Sequence, residues 1–73
     1  PTVFLYLMSL FVIPVVYDTF PSIYYLIDDG ESGYIVPFEN KEEYAKVLLK
    51  IAKNDKLRQK MAENAKKKSE KFS

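Results

Sequence analysis

The first half of the chain contains three apolar runs of two kinds. Residues 3–11, VFLYLMSLF, are apolar at every position except Ser9. This pattern predicts a helix that is apolar all round and therefore buried between other elements. Residues 13–17, IPVVY, are short and rich in β-branched side chains, which predicts a strand covered on both faces, as in parallel sheets. Residues 34–38, YIVPF, form a second strand-like run.

Turn-forming residues separate these two strand-like runs. DTFPS at 18–22 is followed by SIYYLI at 22–27, which predicts a short helix with Ser22 as its N-cap. We expect Gly30 at the C-terminus of that helix, where a positive φ favours glycine. Gly33 is expected to turn the chain into the second strand, and Pro37 to end that strand.

The second half has a helical period. Asn40, with Glu43 three residues later, predicts a helix start. An apolar stripe at helical spacing follows, made of Tyr44, Val47, Leu48, Ile51 and Ala52. KNDK at 53–56 interrupts the pattern, and Asp55 is the expected cap of a last helix. The weaker apolar face of that helix is formed by Leu57, Met61, Ala62 and Ala65, with Phe72 as a terminal anchor.

The order of these elements predicts an α/β fold with two short parallel strands covered by about four helices. Because 73 residues is below the usual domain size, we expect one partial domain over residues 1–73, cut from a larger one. Residues 1–38 form its apolar helix–strand–loop–strand part, and residues 39–73 form two basic amphipathic helices.

Charge and composition restrict the chemistry of the chain. Residues 1–38 contain four acidic side chains and no Lys or Arg, whereas residues 39–73 contain all eleven basic residues. There is no Cys and no His, which excludes disulfides, thiol nucleophiles and imidazole or thiolate metal sites. We therefore expect no cofactor and no metal, and a cytoplasmic protein.

Two features of the chain raise the question of a membrane. The run from Val3 to Val16 is shorter than the roughly 20 residues of a spanning helix, and Pro14 divides it, which favours a buried helix and strand. Glu63 and Glu70 alternate with the lysines of the last helix, which favours a solvated face and disfavours nucleic acid. Peripheral contact with an anionic membrane, at the inner face, stays open.

Candidate binding residues follow the first strand. Asp18, Thr19 and Ser22 lie where open α/β sheets bind ligands, and the alternative is that Asp18 caps the following loop. A tyrosine cluster could stack on a base or sugar, or pack at the core edge; it consists of Tyr17, Tyr24, Tyr25 and Tyr34. The acidic residues Asp28, Asp29 and Glu31 form a solvated turn rather than a metal site in our interpretation.

The chain from Ile13 onwards resembles the C-terminal part of retaining GT-B glycosyltransferases of family 4. The matching residues are PVV at 14–16, LIDDG at 26–30, Gly33, IVP at 35–37, Leu57-Arg58, Met61, Ala65 and Phe72-Ser73. The resemblance implies a fragment of a Rossmann-like GT-B C-terminal domain, which binds the donor. Its parent would be a hexosyltransferase that moves a sugar from a UDP- or GDP-sugar to a glycan, lipid-linked or other acceptor.

One departure from the family pattern concerns catalysis. The second Glu of the family's E-x7-E pattern falls on Leu7, or on Tyr6 after a one-residue slip, and the first falls at or before the N-terminus. We therefore assign no catalytic residue and expect the chain alone to be inactive. The alternatives are an interaction module whose basic helices bind an acidic partner or membrane, and a fragment that forms homodimers because its apolar helix and its sheet edge need cover.

Overall fold

The structure is a computed structural model that describes residues 2–72, except for the side chains of Thr2 and Phe4. Ser73, which ends the matched motif, lies outside this range. The described residues form four helices and two strands. In chain order these are α1 (Thr2–Ser9), β1 (Val15–Tyr17), α2 (Ile23–Leu26), β2 (Tyr34–Val36), α3 (Lys41–Lys53) and α4 (Asp55–Glu70).

The two strands form a parallel pair. Val15 lies opposite Tyr34, Val16 opposite Ile35 and Tyr17 opposite Val36. A parallel pair requires a crossover between its strands, and the loop and α2 between residues 18 and 33 supply it. The predicted α/β class, with two parallel strands and four helices, is therefore confirmed, and it is compatible with part of a Rossmann-like sheet.

Helices cover both faces of the sheet. Because side chains alternate along a strand, Val16 and Ile35 share one face. That face belongs to the main apolar cluster, which contains Ile23, Leu26, Ile27 and Ile35, with Leu5, Val16, Phe20 and Phe72 packed against it. On the opposite face Tyr17 contacts Tyr44 of α3, with ring centroids 4.9 Å apart. The predicted anchoring by Phe72 is thus confirmed.

Helix α1 is less buried than its composition predicts. Met8 is fully buried and the helix packs on α4, but Val3, Tyr6, Leu7 and Leu10 are exposed. The prediction that α1 is enclosed on all sides is therefore wrong for the described side chains, because a neighbour covers one face only. None of the helices within residues 2–72 combines the length and apolarity needed to cross a bilayer.

The end of α1 is a left-handed cap. The helix ends at Ser9, and Phe11 follows with φ of 64°. The N–H of Phe11 donates to Met8 O, and that of Val12 donates to Leu7 O. This pair of bonds is the Schellman arrangement, in which glycine is the usual residue at the left-handed position.

The two glycines before β2 serve different purposes. Gly30 has φ of +83°, but α2 ends at Leu26, so the expected placement of Gly30 at a helix C-terminus is wrong. Gly30 instead lies in the turn that leads to β2. Gly33 lies against β1, and a Cβ built there would lie 2.5 Å from Pro14 O. Pro37 directly follows β2.

Asparagine side chains begin both long helices. Asn40 Oδ1 accepts the N–H of Glu43 at 3.0 Å, as predicted. The cap of α4 is Asn54, whose Oδ1 accepts the N–H of Leu57 at 3.0 Å, so the prediction that Asp55 is the cap is wrong. Asn54 has extended backbone (φ −123°, ψ 98°), which a capping side chain needs, whereas Asp55 is already helical.

The predicted apolar stripes face inward only in part. On α3, Val47 is buried and Tyr44 and Ile51 are half-buried, but Leu48 and Ala52 are exposed. On α4, Met61 and Ala65 are fully buried, and Leu57 and Ala62 are half-buried. The inward stripe of α3 is therefore narrower than its sequence pattern predicts.

Candidate functional site

The carboxyl ends of both strands lie side by side. β1 ends at Tyr17 and β2 at Val36, and the N–H of Asp18 donates to Val36 O at 2.8 Å. This bond extends the parallel ladder by one residue and fixes the start of the loop at 18–22. Open α/β sheets bind their ligands at this edge, so it is the candidate site.

Asp18 interacts there with a tyrosine rather than with its own loop. The hydroxyl of Tyr24, on α2, donates to Asp18 Oδ2 at 2.7 Å. Both side chains are exposed. The hydrogen bond, together with the negative charges of Asp18 and Asp29, raises the pKa of Tyr24 above its ordinary value of 10.0. The pair presents a carboxylate and an aromatic ring to solvent at the end of β1.

The other two candidate residues lie in the same loop without side-chain partners. Thr19 and Ser22 are exposed, and neither side chain makes a hydrogen bond within residues 2–72. Ser22 occupies the N-cap position of α2 but does not cap it, which corrects the expectation from the sequence. Its backbone is helical (φ −67°, ψ −10°), whereas a capping side chain requires an extended residue.

The tyrosine cluster does not form one platform. Tyr17 packs between Phe38 and Tyr44, and Tyr34 lies under the Nζ of Lys50 at 5.6 Å from its ring centroid. Tyr24 and Tyr25 are exposed on α2. Sequence reasoning missed the role of Tyr24 beside Asp18, and its only signal was a tyrosine placed one short loop after the strand end.

The acidic residues before β2 make contacts that stabilise the fold. Asp29 Oδ1 accepts the N–H of Ile35, and Asp28 Oδ1 lies 3.2 Å from the Nζ of Lys68 on α4. Glu31 contributes its backbone carbonyl to Asn64 of α4. Among residues 2–72, no group of acidic side chains could hold a metal ion. The turn is therefore a point where α4 contacts the segment that leads into β2.

A groove lies between β2 and α3 on the other side of the sheet. Its volume is about 450 Å³. Tyr34 and Val36 form its floor, and Glu43, Lys46 and Lys50 of α3 form its wall. The groove does not include Asp18, Thr19 or Ser22, so the site expected from the sequence and this groove are separate.

The second Glu of the E-x7-E pattern is expected to correspond to Leu7, or to Tyr6 after a one-residue slip, and both residues lie on α1. Tyr6 and Leu7 are both exposed there. Neither side chain accepts hydrogen bonds from a pair of sugar hydroxyls in the way a carboxylate does.

Comparison with models of known protein families shows to which family the chain belongs. The family model described as "Glycosyl transferases group 1" matches residues 1–68. The chain belongs to this family. Comparison with curated proteins and with solved structures found no significant match. In this group 1 glycosyl transferase chain, the matched region includes both strands, the Asp18–Tyr24 pair and all of α4 except its last two residues.

Proposed function

We propose that these residues form the C-terminal part of the donor-binding domain of a retaining GT-B glycosyltransferase of family 4. The complete enzyme transfers a hexose from a UDP- or GDP-sugar to an acceptor in carbohydrate biosynthesis, in the cytoplasm. The single observation that carries this proposal is the family match over residues 1–68. The parallel strand pair, with polar residues at its carboxyl end, is consistent with a nucleotide-sugar site at that edge.

Asp18 is the proposed donor-facing residue. Its Oδ2 is held by Tyr24, so the carboxylate is fixed in orientation at the end of β1. The remaining lone pairs of a carboxylate accept hydrogen bonds from sugar or ribose hydroxyls. Thr19 and Ser22 lie beside it and could each donate or accept through a hydroxyl group. The role proposed for these three residues is to bind and orient the donor.

The 73-residue chain alone is proposed to be inactive in sugar transfer. Leu7, or Tyr6 after a one-residue slip, stands where the family pattern has its second carboxylate, and the acceptor would be bound by a domain outside these residues. The chain therefore contributes the C-terminal part of the donor-binding domain, which consists of the carboxyl ends of two strands, the loop that follows β1 and the helices that pack on them.

Nuclear magnetic resonance titration of the ¹⁵N-labelled chain with UDP and GDP tests the proposal. We expect weak, millimolar binding, with shift changes confined to residues 18–24. Asp18→Asn should abolish these shifts, and Asp55→Asn, an exposed carboxylate on α4, should leave them unchanged. Shifts confined to the lysines of α4, or no shift with either nucleotide at millimolar concentration, would contradict the donor-facing assignment.

A further inference from the structure

Helix α2 depends on its neighbours for its orientation. It has only four residues, Ile23–Leu26, and the side chain of Ser22 does not cap it. A helix of one turn is not stable on its own in water, because the cost of ordering the first turn exceeds the gain from its hydrogen bonds. The contacts that α2 makes with other elements therefore determine where its side chains point.

Two consecutive tyrosines of α2 contact different parts of the molecule. The hydroxyl of Tyr24 donates to Asp18 Oδ2, in the loop after β1. The ring of Tyr25 packs edge-on against Phe72, with ring centroids 5.5 Å apart and an angle of 62° between the ring planes. Because successive side chains of a helix point in directions about 100° apart, this short helix joins the candidate site to the segment after α4.

Phe72 is held in place by its backbone and by its ring. Its N–H donates to Ser69 O at 3.2 Å, which continues the turn at the end of α4. Its ring packs against the main apolar cluster, to which α2 contributes Ile23 and Leu26. Phe72 therefore packs against the cluster that contains the buried side of α2 and against the Tyr25 ring on its exposed side.

Helix α4 is itself attached to the segment that leads into β2. Asn64 Nδ2 donates to Glu31 O at 2.9 Å, and Lys68 Nζ lies 3.2 Å from Asp28 Oδ1. These contacts, made by α4, determine where Phe72 lies relative to the strands. Phe72 therefore gives α2 a support that does not depend on α2 itself.

Little else supports this side of α2. Tyr25 is 71% exposed, and within residues 2–72 its ring contacts no aromatic ring other than that of Phe72. An open space of about 340 Å³ adjoins this contact, bordered by both tyrosines, Lys68, Lys71 and Phe72. Loss of the Phe72 ring would enlarge the space and leave α2 free to tilt into it.

We propose that Phe72 is a positioning residue for the candidate donor site. Its contact with Tyr25 holds α2 in the orientation in which the Tyr24 hydroxyl reaches Asp18, and that hydrogen bond orients the carboxylate for the donor. Phe72 acts through α2 rather than by contact with the donor. The inference rests on the proposed donor-binding function of Asp18, but the link between Phe72 and Asp18 exists without a ligand and can be measured in its absence.

The pKa of Tyr24, measured from the carbon-13 shifts of its ring, tests this link without a ligand. The hydrogen bond to Asp18 raises this pKa in the wild type. Tyr25→Ala removes an exposed ring, so the variant should fold, and it should lower the pKa of Tyr24 towards 10.0. Phe72→Ala should have the same effect, and the double variant should add nothing further, because both changes remove one contact.

Two further variants separate positioning from a loss of stability. Val47→Ala removes buried apolar volume from α3, which packs on the opposite face of the sheet. This variant should unfold at a lower urea concentration, with no change in the pKa of Tyr24. Phe72→Tyr keeps the ring and should keep the wild-type pKa.

Titration with UDP then measures the consequence for the donor site. In Tyr25→Ala and Phe72→Ala, UDP should bind about fivefold more weakly than in the wild type, which corresponds to the loss of one hydrogen bond. Val47→Ala should bind UDP as the wild type does. Absence of UDP binding to the wild type would contradict the proposed function, and the pKa measurements would still decide the link between Phe72 and Asp18. An unchanged pKa of Tyr24 in Tyr25→Ala, or an equal change in Val47→Ala, would overturn the proposal.

Discussion

A Cβ atom on Gly33 would lie 2.5 Å from the carbonyl oxygen of Pro14 and 2.7 Å from its Cγ. Pro14 O is also the acceptor for the N–H of Tyr34, at 2.9 Å. The absence of a side chain at residue 33 therefore lets β2 approach β1 closely enough for the ladder to begin. At Gly30, three residues earlier, a Cβ would meet no atom within 4 Å, but the φ of this residue is +83°.

These two glycines should respond differently to substitution by alanine. Gly33→Ala forces a shift of the backbone at Pro14 and should lower the free energy of unfolding by about 2–3 kcal/mol. In Gly30→Ala the new Cβ meets no neighbouring atom. This substitution should therefore lower the free energy of unfolding only by the strain of the left-handed backbone, about 1–2 kcal/mol. Urea denaturation followed by circular dichroism measures the free energy of unfolding of both variants. Equal losses of this free energy would show that the close approach of Gly33 to Pro14 does not determine the effect.

Phe11 offers a stabilising substitution. Its φ of 64° is unfavourable for a side chain with a Cβ, and the ring is 55% exposed, so its removal loses little burial. Phe11→Gly should raise the free energy of unfolding by about 1 kcal/mol. Leu10→Gly, one residue earlier and without a positive φ, should lower it. If Phe11→Gly is destabilising in the same assay, the left-handed cap at the end of α1 is not present.

The contact between α4 and the turn before β2 has a measurable electrostatic part. Lys68 Nζ lies 3.2 Å from Asp28 Oδ1, with 44% of the Asp28 side chain exposed. Partial exposure limits the value of this ion pair, so Lys68→Gln should cost at most about 1 kcal/mol. The loss should shrink at high salt, because screening weakens the pair in the wild type. Lys67→Gln, on the exposed side of α4, is the matched control and should be close to neutral.

The Asp18–Tyr24 pair predicts a shifted tyrosine titration. The hydrogen bond to Asp18 raises the pKa of Tyr24, and Asp18→Asn should lower that pKa towards 10.0. Because the pKa of Tyr24 is raised in the folded state, this bond contributes stability below pH 10.0, which is lost as the pH rises through the shifted value. Carbon-13 shifts of the Tyr24 ring measure the pKa, and an unchanged value in Asp18→Asn would contradict the pairing.

Part of this architecture was predictable because it depends on local sequence. The β-branched runs around Val15 and Ile35, the turn residues between them and the cap at Asn40 act over a few residues. The helix predicted between the two strands favours a crossover connection and therefore parallel pairing. The family resemblance rested on motifs in these segments and in the last helix, and it agrees with the match over residues 1–68.

Other features depend on the local backbone conformation or on contacts between distant residues, for which the sequence gave little signal. The exposure of α1 depends on how many elements surround it, and an apolar composition does not specify that number. The ion pair between Asp28 and Lys68 joins two residues that lie 40 positions apart in the sequence. The choice of Asn54 over Asp55 as a cap depends on which of two adjacent residues has extended backbone. The pairing of Tyr24 with Asp18 depends on the orientation of α2.

The parallel pairing of β1 and β2 is the central claim, since the candidate site and the glycine contacts both depend on it. Nuclear Overhauser effects between Val16 and Ile35, with amide hydrogen exchange of Tyr34 and Asp18, test it most directly. We expect cross-strand effects in the parallel register and slow exchange of both amides, which donate to Pro14 O and Val36 O. Unprotected exchange at both amides without any contact between Val16 and Ile35 would contradict the account.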